Sequence, residues 1–234
     1  MQKVGDINWL ERNYRFQKIS FSLDELIVLN ATKTGKDITE FSKAVSRLVE
    51  DVFIPVAAGG GIKSLSDADL LFRSGADKVV LNTCIESNPL LVKEIVSKYG
   101  SQSIVACVDY KIVDGKPTVF VDDGSRALDV DLETHLSDIQ RLEVGEIILN
   151  SIDKDGTGFG YDIDVICKYS GLVNVPLIIM GGAGNGQHLK EGLEFDGVSA
   201  VATANLFNFI GDGLPKARSF MIQSGANLAR WDEH

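Results

Sequence analysis

The sequence predicts an α/β fold, a (βα)8 or TIM barrel built from two half-barrel repeats. Three observations carry this. Short, continuously apolar runs alternate with amphipathic stretches along all 234 residues, as buried parallel strands alternate with helices. The glycine run in "IPVAAGGGIKS" (54–64) has a twin in "VPLIIMGGAGN" (175–185). One offset also relates the two halves: Pro55 and Pro176, Gly60 and Gly181, Glu25 and Glu146, and Gly35 and Gly156 each stand 121 places apart. Generic likeness between βα units yields similar patterns but not one fixed interval, so the interval indicates a duplicated (βα)4 unit. With no Pro- or Ser-rich linker, the chain reads as one domain over 1–234, with repeats of about 1–100 and 101–225.

The strands are predicted at 25–30 "ELIVLN", 54–58 "IPVAA", 78–82 "KVVLN", 103–109 "SIVACVD", 146–151 "EIILNS", 175–180 "VPLIIM" and 198–203 "VSAVAT". Most are apolar throughout, as strands covered on both faces are. Helices fall between them. In 39–50, Phe41, Val45, Leu48 and Val49 recur at helical spacing, and 65–74, 89–99, 131–143, 162–170, 187–194 and 213–224 behave alike. After Asp109, "YKIVDGKPTVFVDDG" reads as a hairpin-like excursion. The same offset would put the counterpart of Asp109 at position −12, before the first residue given. Seven barrel strands are therefore expected, with the first strand missing from this chain. A parallel barrel short of one strand exposes two sheet edges, so a perturbed barrel, or one closed by an unusual contact, is expected.

Lys plus Arg number 23 and Asp plus Glu 33, a formal charge of −10. Such a chain is a poor general binder of nucleic acid or anionic membrane, and no apolar run approaches the ~20 residues of a membrane span. A phosphate is still within reach, because backbone N–H groups and helix N-termini need no net positive charge. Cys84, Cys107 and Cys167 are widely spaced and lie in or near apolar segments. They suit reduced, buried thiols of a cytoplasmic protein better than disulfides or a metal site. His135, His188 and His234 form no recognisable ligand set, so neither metal nor cofactor is expected. Tyr161, Phe207 and Phe209 are read as packing residues.

In such a barrel the loops after the strands build the active site. Both glycine runs fall there. Bare backbone lets N–H groups approach a phosphate, and the next helix N-terminus adds its dipole. Two cradles half a barrel apart suit a ligand with a phosphate at each end. Asp109 ends the fifth barrel strand and Asp155 follows the sixth; carboxylates at that rim suit general acid/base work, although Asp155 before Gly156 also reads as an Asx-type turn. Asn82 and Thr83 read equally as ligand contacts or as a helix N-cap. Glu25, Lys78 and Glu146 begin their strands. Each alone reads as a solvent-facing charge, while the three together read as an ion-paired ring across the barrel bottom.

These residues resemble the cyclase subunit of imidazole glycerol phosphate synthase, the HisF family. The matching stretches are "DELIVLNAT", "VFIPVAAGGGI", "GADKVVLNT", "YGSQSIVACVDYK", "GEIILNSIDKDGTGFGYD", "MGGAG" and "NLFNF", spread over nearly the whole chain. The resemblance implies a barrel paired with a glutaminase subunit, whose ammonia crosses the barrel. There the ammonia attacks a bisphosphorylated substrate, giving imidazole glycerol phosphate and an aminoimidazole carboxamide ribotide. It implies that Asp109 is one of two catalytic aspartates. Gly61, Asn82, Thr83, Asp155, Gly156, Gly182 and Asn205 take ligand-contacting positions, Glu25, Lys78 and Glu146 three of four ammonia-gate charges, and Asp77 a position facing the glutaminase.

The departures are specific. The second catalytic aspartate and a gate arginine belong to the absent first strand, so a further, weaker reading is that a chain lacking that strand is inactive. Met180 and Asn205 stand where the family carries serines, and Asn150 where it carries threonine. "VDDGSRALDVD" replaces a loop richer in glycine and threonine. The opening "QKVGDINWLERNYRF" resembles a branch that supplies ammonia for amidating bacterial surface sugars. The alternative expectation is therefore an ammonia-channelling subunit of that kind with little cyclase activity.

Overall fold

The computed structural model describes residues 21–33, 35–208 and 213–230. Seven parallel strands run in the order β1 (Leu26–Leu29), β2 (Val56–Gly59), β3 (Lys78–Leu81), β4 (Ile104–Val113), β7 (Glu146–Ser151), β8 (Leu177–Met180) and β9 (Val198–Val201). Two more strands, β5 (Lys116–Val121) and β6 (Arg126–Asp131), form an antiparallel excursion from β4. The helices are α1 (Ile38–Asp51), α2 (Leu65–Arg73), α3 (Thr83–Ser87), α4 (Pro89–Tyr99), α5 (Leu132–Gln140), α6 (Ile163–Tyr169), α7 (Gly186–Leu193) and α8 (Gly213–Gln223). This is the strand–helix alternation of a (βα)8 TIM barrel, as the sequence predicts.

Side-chain alternation divides the core into two layers. Val56, Ala58, Val79, Leu81, Ile104, Ala106, Ile147, Leu149, Leu177 and Ile179 are buried outward, where helices cover the sheet. The opposite faces meet in a separate cluster. There Ala57, Val80, Val105, Cys107, Ile148 and Ile178 are buried together, with Ile27, Leu29, Met180 and Ala200 packed against them. One cluster drawing on all seven parallel strands requires a sheet curled around a common interior.

The repeat is visible in the fold. Shifted by 121 places, β2 lands on β8 residue for residue, and β1 falls inside β7. The described strands form an open path from β1 to β9. All four residues of β1 are half-buried, whereas all four of β2 are buried. The two ends are nevertheless drawn together. Leu23, just before β1, packs on the cluster of Leu206, Leu214 and Ala217. Arg218 of α8 donates to both carboxylate oxygens of Asp24, from Nη1 at 3.0 Å and Nη2 at 2.9 Å, and to the Ala229 carbonyl at 2.6 Å. The first twenty residues, including the opening likened to the sugar-amidation branch, lie outside the described residues, as do the side chain of Phe207 and the whole of Phe209 and His234.

Two expectations need correction. β4 does not stop at Asp109 but runs on to Val113, because its end pairs with β5 around a two-residue loop at Asp114 and Gly115. Both loop residues have positive φ, 49° and 76°, the conformation that matches strand twist in tight hairpins. The three cysteines are free, but only Cys84 and Cys107 are buried; Cys167 lies on the solvent side of the short helix α6. His135 and Tyr161 are buried packing residues, with the Tyr161 hydroxyl donating to the Ala202 carbonyl at 2.9 Å.

Candidate active site

The glycine twins share one backbone conformation. Gly60 and Gly61 have φ of 97° and 96°; Gly181 and Gly182 have 95° and 110°. Any other residue is strained there. Space is short as well: a Cβ on Gly60 would lie 2.8 Å from the backbone N and O of Asn30, and one on Gly182 would overlap the Gly160 carbonyl oxygen. Each run leads into a capped helix. Ser64 and Asp67 form a capping box on α2, and the Asn185 side chain accepts from the His188 amide on α7. Asp67 also accepts from the Lys63 and Ser64 amides at 2.9 Å each, so its carboxylate already holds the two amides nearest that helix. An anion at the first cradle would meet the glycine backbone rather than those two amides.

Asp109 sits where β4 leaves the barrel. It is register-paired with Asn150 of β7 and on the same side of β4 as Val105 and Cys107, facing the interior. The Asn150 amide donates from Nδ2 to Oδ1 at 2.7 Å, and Asn82 from Nδ2 to Oδ2 at 3.2 Å. Asn82 also donates to the Cys107 carbonyl at 2.9 Å, and the Cys107 thiol lies 3.8 Å from Oδ1 of Asp109. Burial pushes the Asp109 pKa above the usual carboxylate range; the donors from Asn150 and Cys107 oppose that shift, and the charge of Asp155 adds to it. Asp109 is thus a carboxylate whose proton affinity is set by neighbours, the property that acid/base work requires.

The other sequence-predicted residues lie in the segments that follow β3, β7 and β9. Asn82 occupies the N-cap position of α3 without a side-chain cap bond, its amide being used on Asp109. Thr83 Oγ1 accepts from the Asp122 amide at 3.0 Å. Asp155 and Gly156 lie in the loop after β7, where the Asp155 amide donates to the Ser151 carbonyl at 3.0 Å. Asn205 opens a short 3-10 turn after β9, its Nδ2 3.2 Å from a Cβ built on Gly158 of the β7 loop.

At the opposite end, the sequence's alternative of a ring is the one observed. Lys78 Nζ lies 2.8 Å from Glu25 Oε2 and 2.6 Å from Glu146 Oε1. The three side chains are 17%, 28% and 19% exposed, too covered to be ordinary surface charges. Burial raises the Glu25 pKa against the opposing pull of Lys78. Burial alone would lower Lys78, but its hydrogen bonds to Glu146 and Glu25 outweigh that and raise it. The second oxygen of Glu146, Oε2, is buried without a partner among the described residues. Asp77 is exposed beside this ring, its carboxylate accepting from the Val56 amide at 2.8 Å.

Strand alternation joins the two ends. Lys78, Val80 and Asn82 share one face of the β3 segment; Glu146, Ile148 and Asn150 share one face of β7. Each segment carries a charge below, an apolar residue in the middle, and an amide at Asp109 above. The sequence marks Asn150 only as a departure from the family's threonine; the period of two, applied from Glu146, puts it on the face that meets Asp109. Lys36 was missed: its stem crosses the Gly61 backbone, and its Nζ pairs with Asp123 at 2.6 Å. Among the described residues no cluster of His, Cys, Asp or Glu is arranged for a metal ion, and no helix is long and apolar enough to cross a membrane.

Comparison with known proteins gives the family of the chain. The family model described as "Histidine biosynthesis protein" matches residues 8–211. The chain is 41% identical over 232 residues to a protein of Parasynechococcus marenigrum (strain WH8102) provisionally named imidazole glycerol phosphate synthase subunit hisF2; the match covers 99% of this chain and 86% of the relative. It is 38% identical over 228 residues to the imidazole glycerol phosphate synthase subunit HisF of Pyrobaculum aerophilum, covering 97% and 88%. With HisF of Exiguobacterium sibiricum it shares 36% over 205 residues, covering 88% and 82%. Twin glycine cradles, a carboxylate between two amides and an ion-paired ring beneath them therefore sit on a chain that belongs to the histidine biosynthesis protein family, in its HisF group of imidazole glycerol phosphate synthase subunits.

Proposed function

We propose that this chain is the synthase, or cyclase, subunit of a glutamine amidotransferase. It would use ammonia from a partner glutaminase to convert a bisphosphorylated substrate into imidazole glycerol phosphate and aminoimidazole carboxamide ribotide. The observation that carries the reading is the setting of Asp109: interior, at the rim, and held by Asn82 and Asn150.

In this mechanism the two cradles anchor one phosphate each, so the reacting centre lies over the interior between them. Ammonia enters past Glu25, Lys78 and Glu146 and crosses the apolar middle of the lumen. Val80, Val105 and Ile148 there favour neutral NH3, since an ammonium ion would lose its hydration without a counter-charge. At the upper end the ionised Asp109 takes a proton from the attacking nitrogen and returns one during ring closure. Asp155, Gly156 and Asn205 hold the second phosphate end with Gly182, while Gly61, Asn82 and Thr83 hold the first. Asp77 belongs to the face that meets the glutaminase. The setting is cytoplasmic, and no cofactor enters the scheme.

The test is turnover of the bisphosphate substrate by the full chain with ammonium salts. Asp109→Asn should lower that rate by ~10²–10⁴-fold, the usual worth of an acid/base group. No turnover by a folded, full-length preparation would overturn the reading. A second reading, ammonia supply for amidation of a bacterial surface sugar, draws on Asn150, Met180 and Asn205, which occupy ligand-side positions with unexpected side chains. Rescue of a histidine auxotroph supports the first reading; failure to rescue, with ammonia transfer intact in a partner complex, supports the second.

A further inference from the structure

The second hairpin turn, Asp122–Ser125, is folded over the rim. Asp122, Asp123 and Gly124 take positive φ in succession, 54°, 57° and 77°. Two of them are not glycine, so the turn is strained and persists only while its surroundings hold it. The holds are side chains from around the rim. Thr83 Oγ1 accepts from the Asp122 amide at 3.0 Å, Lys36 Nζ pairs with Asp123 at 2.6 Å, and Lys111 donates to the Gly124 carbonyl at 2.9 Å. Arg126, closing the turn, pairs with Asp122 at 2.8 Å and with Glu86 of α3 at 3.0 Å.

One of those holds, Lys36, lies at the first cradle. The Lys36 stem passes over Gly61, with Cδ 3.2 Å and Cβ 3.4 Å from the point a Cβ on Gly61 would occupy. Its ammonium is therefore delivered beside the glycine backbone, where it already holds an anion, the carboxylate of Asp123. At the second cradle the Cβ of Lys154 lies 3.1 Å from a Cβ built on Gly182. The 121-residue offset aligns Lys154 with Lys33, not Lys36.

We infer that Lys36 is a phosphate ligand of the Gly61 cradle, and that Asp123 occupies this anion position in the ligand-free chain as an internal stand-in. A phosphate arriving at Gly61 and Thr83 takes Lys36 from Asp123 and the Thr83 hydroxyl from the Asp122 amide. The strained turn then loses two of its holds and leaves the rim. The Asp122–Asp123 turn is in this way a self-blocking latch released by the ligand's phosphate. The inference rests on the reading of the glycine runs as phosphate cradles, and it extends that reading to a residue and a competition not otherwise assigned.

The test is a titration of the full ¹⁵N-labelled chain with inorganic phosphate, following the amide signals of Gly60 and Gly61 and, as the internal reference, those of Gly181 and Gly182. Lys36→Met keeps the stem and removes the charge; Asp123→Asn removes the competitor. The expected result is a loss of phosphate affinity at Gly60 and Gly61 of about fivefold or more in Lys36→Met. Asp123→Asn should gain about two- to fivefold, the scale of an exposed ion pair. Added to Lys36→Met, Asp123→Asn should change nothing further, and affinity at Gly181 and Gly182 should be the same in all variants. Unchanged affinity at Gly61 in Lys36→Met, or weaker binding in Asp123→Asn, overturns the latch while leaving the second cradle's phosphate reading intact. No response at either cradle overturns that reading and the latch together.

Discussion

Asn150 donates a 2.7 Å hydrogen bond from its side-chain amide to Asp109 across the β4–β7 pairing, and its own carbonyl oxygen, Oδ1, is buried with no partner among the described residues. Asn150 is 3% exposed. An unpaired buried acceptor is costly, so a residue kept in that state is held for what its donor does or for what its acceptor awaits. Here the donor steadies a carboxylate whose pKa burial has raised.

Asn150→Ala should raise the Asp109 pKa further, because the ionised form loses its shortest donor. In the proposed reaction the acid limb of kcat/KM moves to higher pH, since more carboxylate is protonated at any given pH. A ¹³C titration of the Asp109 carboxyl reads the same shift without turnover. A pKa unchanged or lowered in the variant would contradict the role given to Asn150.

Asp109→Asn should remove activity and yet stabilise the chain. A carboxyl whose folded pKa lies above its unfolded value contributes stability at low pH, and loses it as pH rises through the folded pKa. At neutral pH the native chain therefore bears a buried charge that the amide lacks. The gain should be about 0.5–2 kcal/mol near pH 7, in the range of stability recovered when functional groups are neutralised. It should shrink towards zero as pH falls below the unfolded carboxylate range. Denaturant melts at pH 7 and pH 3.5 measure it; equal differences at both would exclude the linkage.

Lys78→Met should destabilise by about 1–3 kcal/mol near neutral pH, between the values for exposed and buried pairs, because it leaves Glu25 and Glu146 facing each other. Lys78 has a raised folded pKa, so its contribution is complete below the ordinary lysine range and lost as pH climbs through the raised value. The gap between wild type and variant should also narrow on acidification, as Glu25, whose pKa burial raises, takes up its proton. Thermal melts from pH 4 to pH 11 should show a gap widest in the middle.

Gly182→Ala should be far more disruptive than Gly61→Ala. Both positions carry a left-handed φ costing about 1–3 kcal/mol for a side chain. At Gly61 the new methyl meets only the Lys36 stem, which can swing away; at Gly182 it meets the Gly160 carbonyl, whose residue also donates its amide to Gly182 O at 2.9 Å. Comparing the melting points of the two variants checks the order.

Arg218→Met should cost about 1–3 kcal/mol, since it strips Asp24 of a two-pronged partner and the Ala229 carbonyl of its donor. Hydrogen exchange should speed up in β1 and α8 before the central strands respond, because this pair draws together the two ends of the described sheet.

Much of this was legible along the chain. The apolar runs placed all seven parallel strands, with shifts of one or two residues at most ends. The 121-residue interval identified twin cradles whose φ values agree to within a few degrees at Gly60 and Gly181. Mixed charges at Glu25, Lys78 and Glu146 pointed to the ring. What the reading missed was β6, the exposed side of Cys167, and the partners of Asp109 and Lys36. β6 "RALDVD" carries two aspartates and little apolar surface, so no strand period stands out; its place comes from pairing with β5.

The sequence by itself determined the repeat, the strand and helix alternation, the glycine conformations and the family, because periodicity, fixed spacing and the need for φ above zero are properties of the local chain. Only the tertiary structure decided that Asn150 holds Asp109, that Arg218 reaches Asp24, and that Asp123 occupies Lys36 over Gly61. Those pairs lie 41, 194 and 87 residues apart. Sheet register, the curl of the strands and the fold-back of a strained turn bring them together, and no local pattern encodes any of the three.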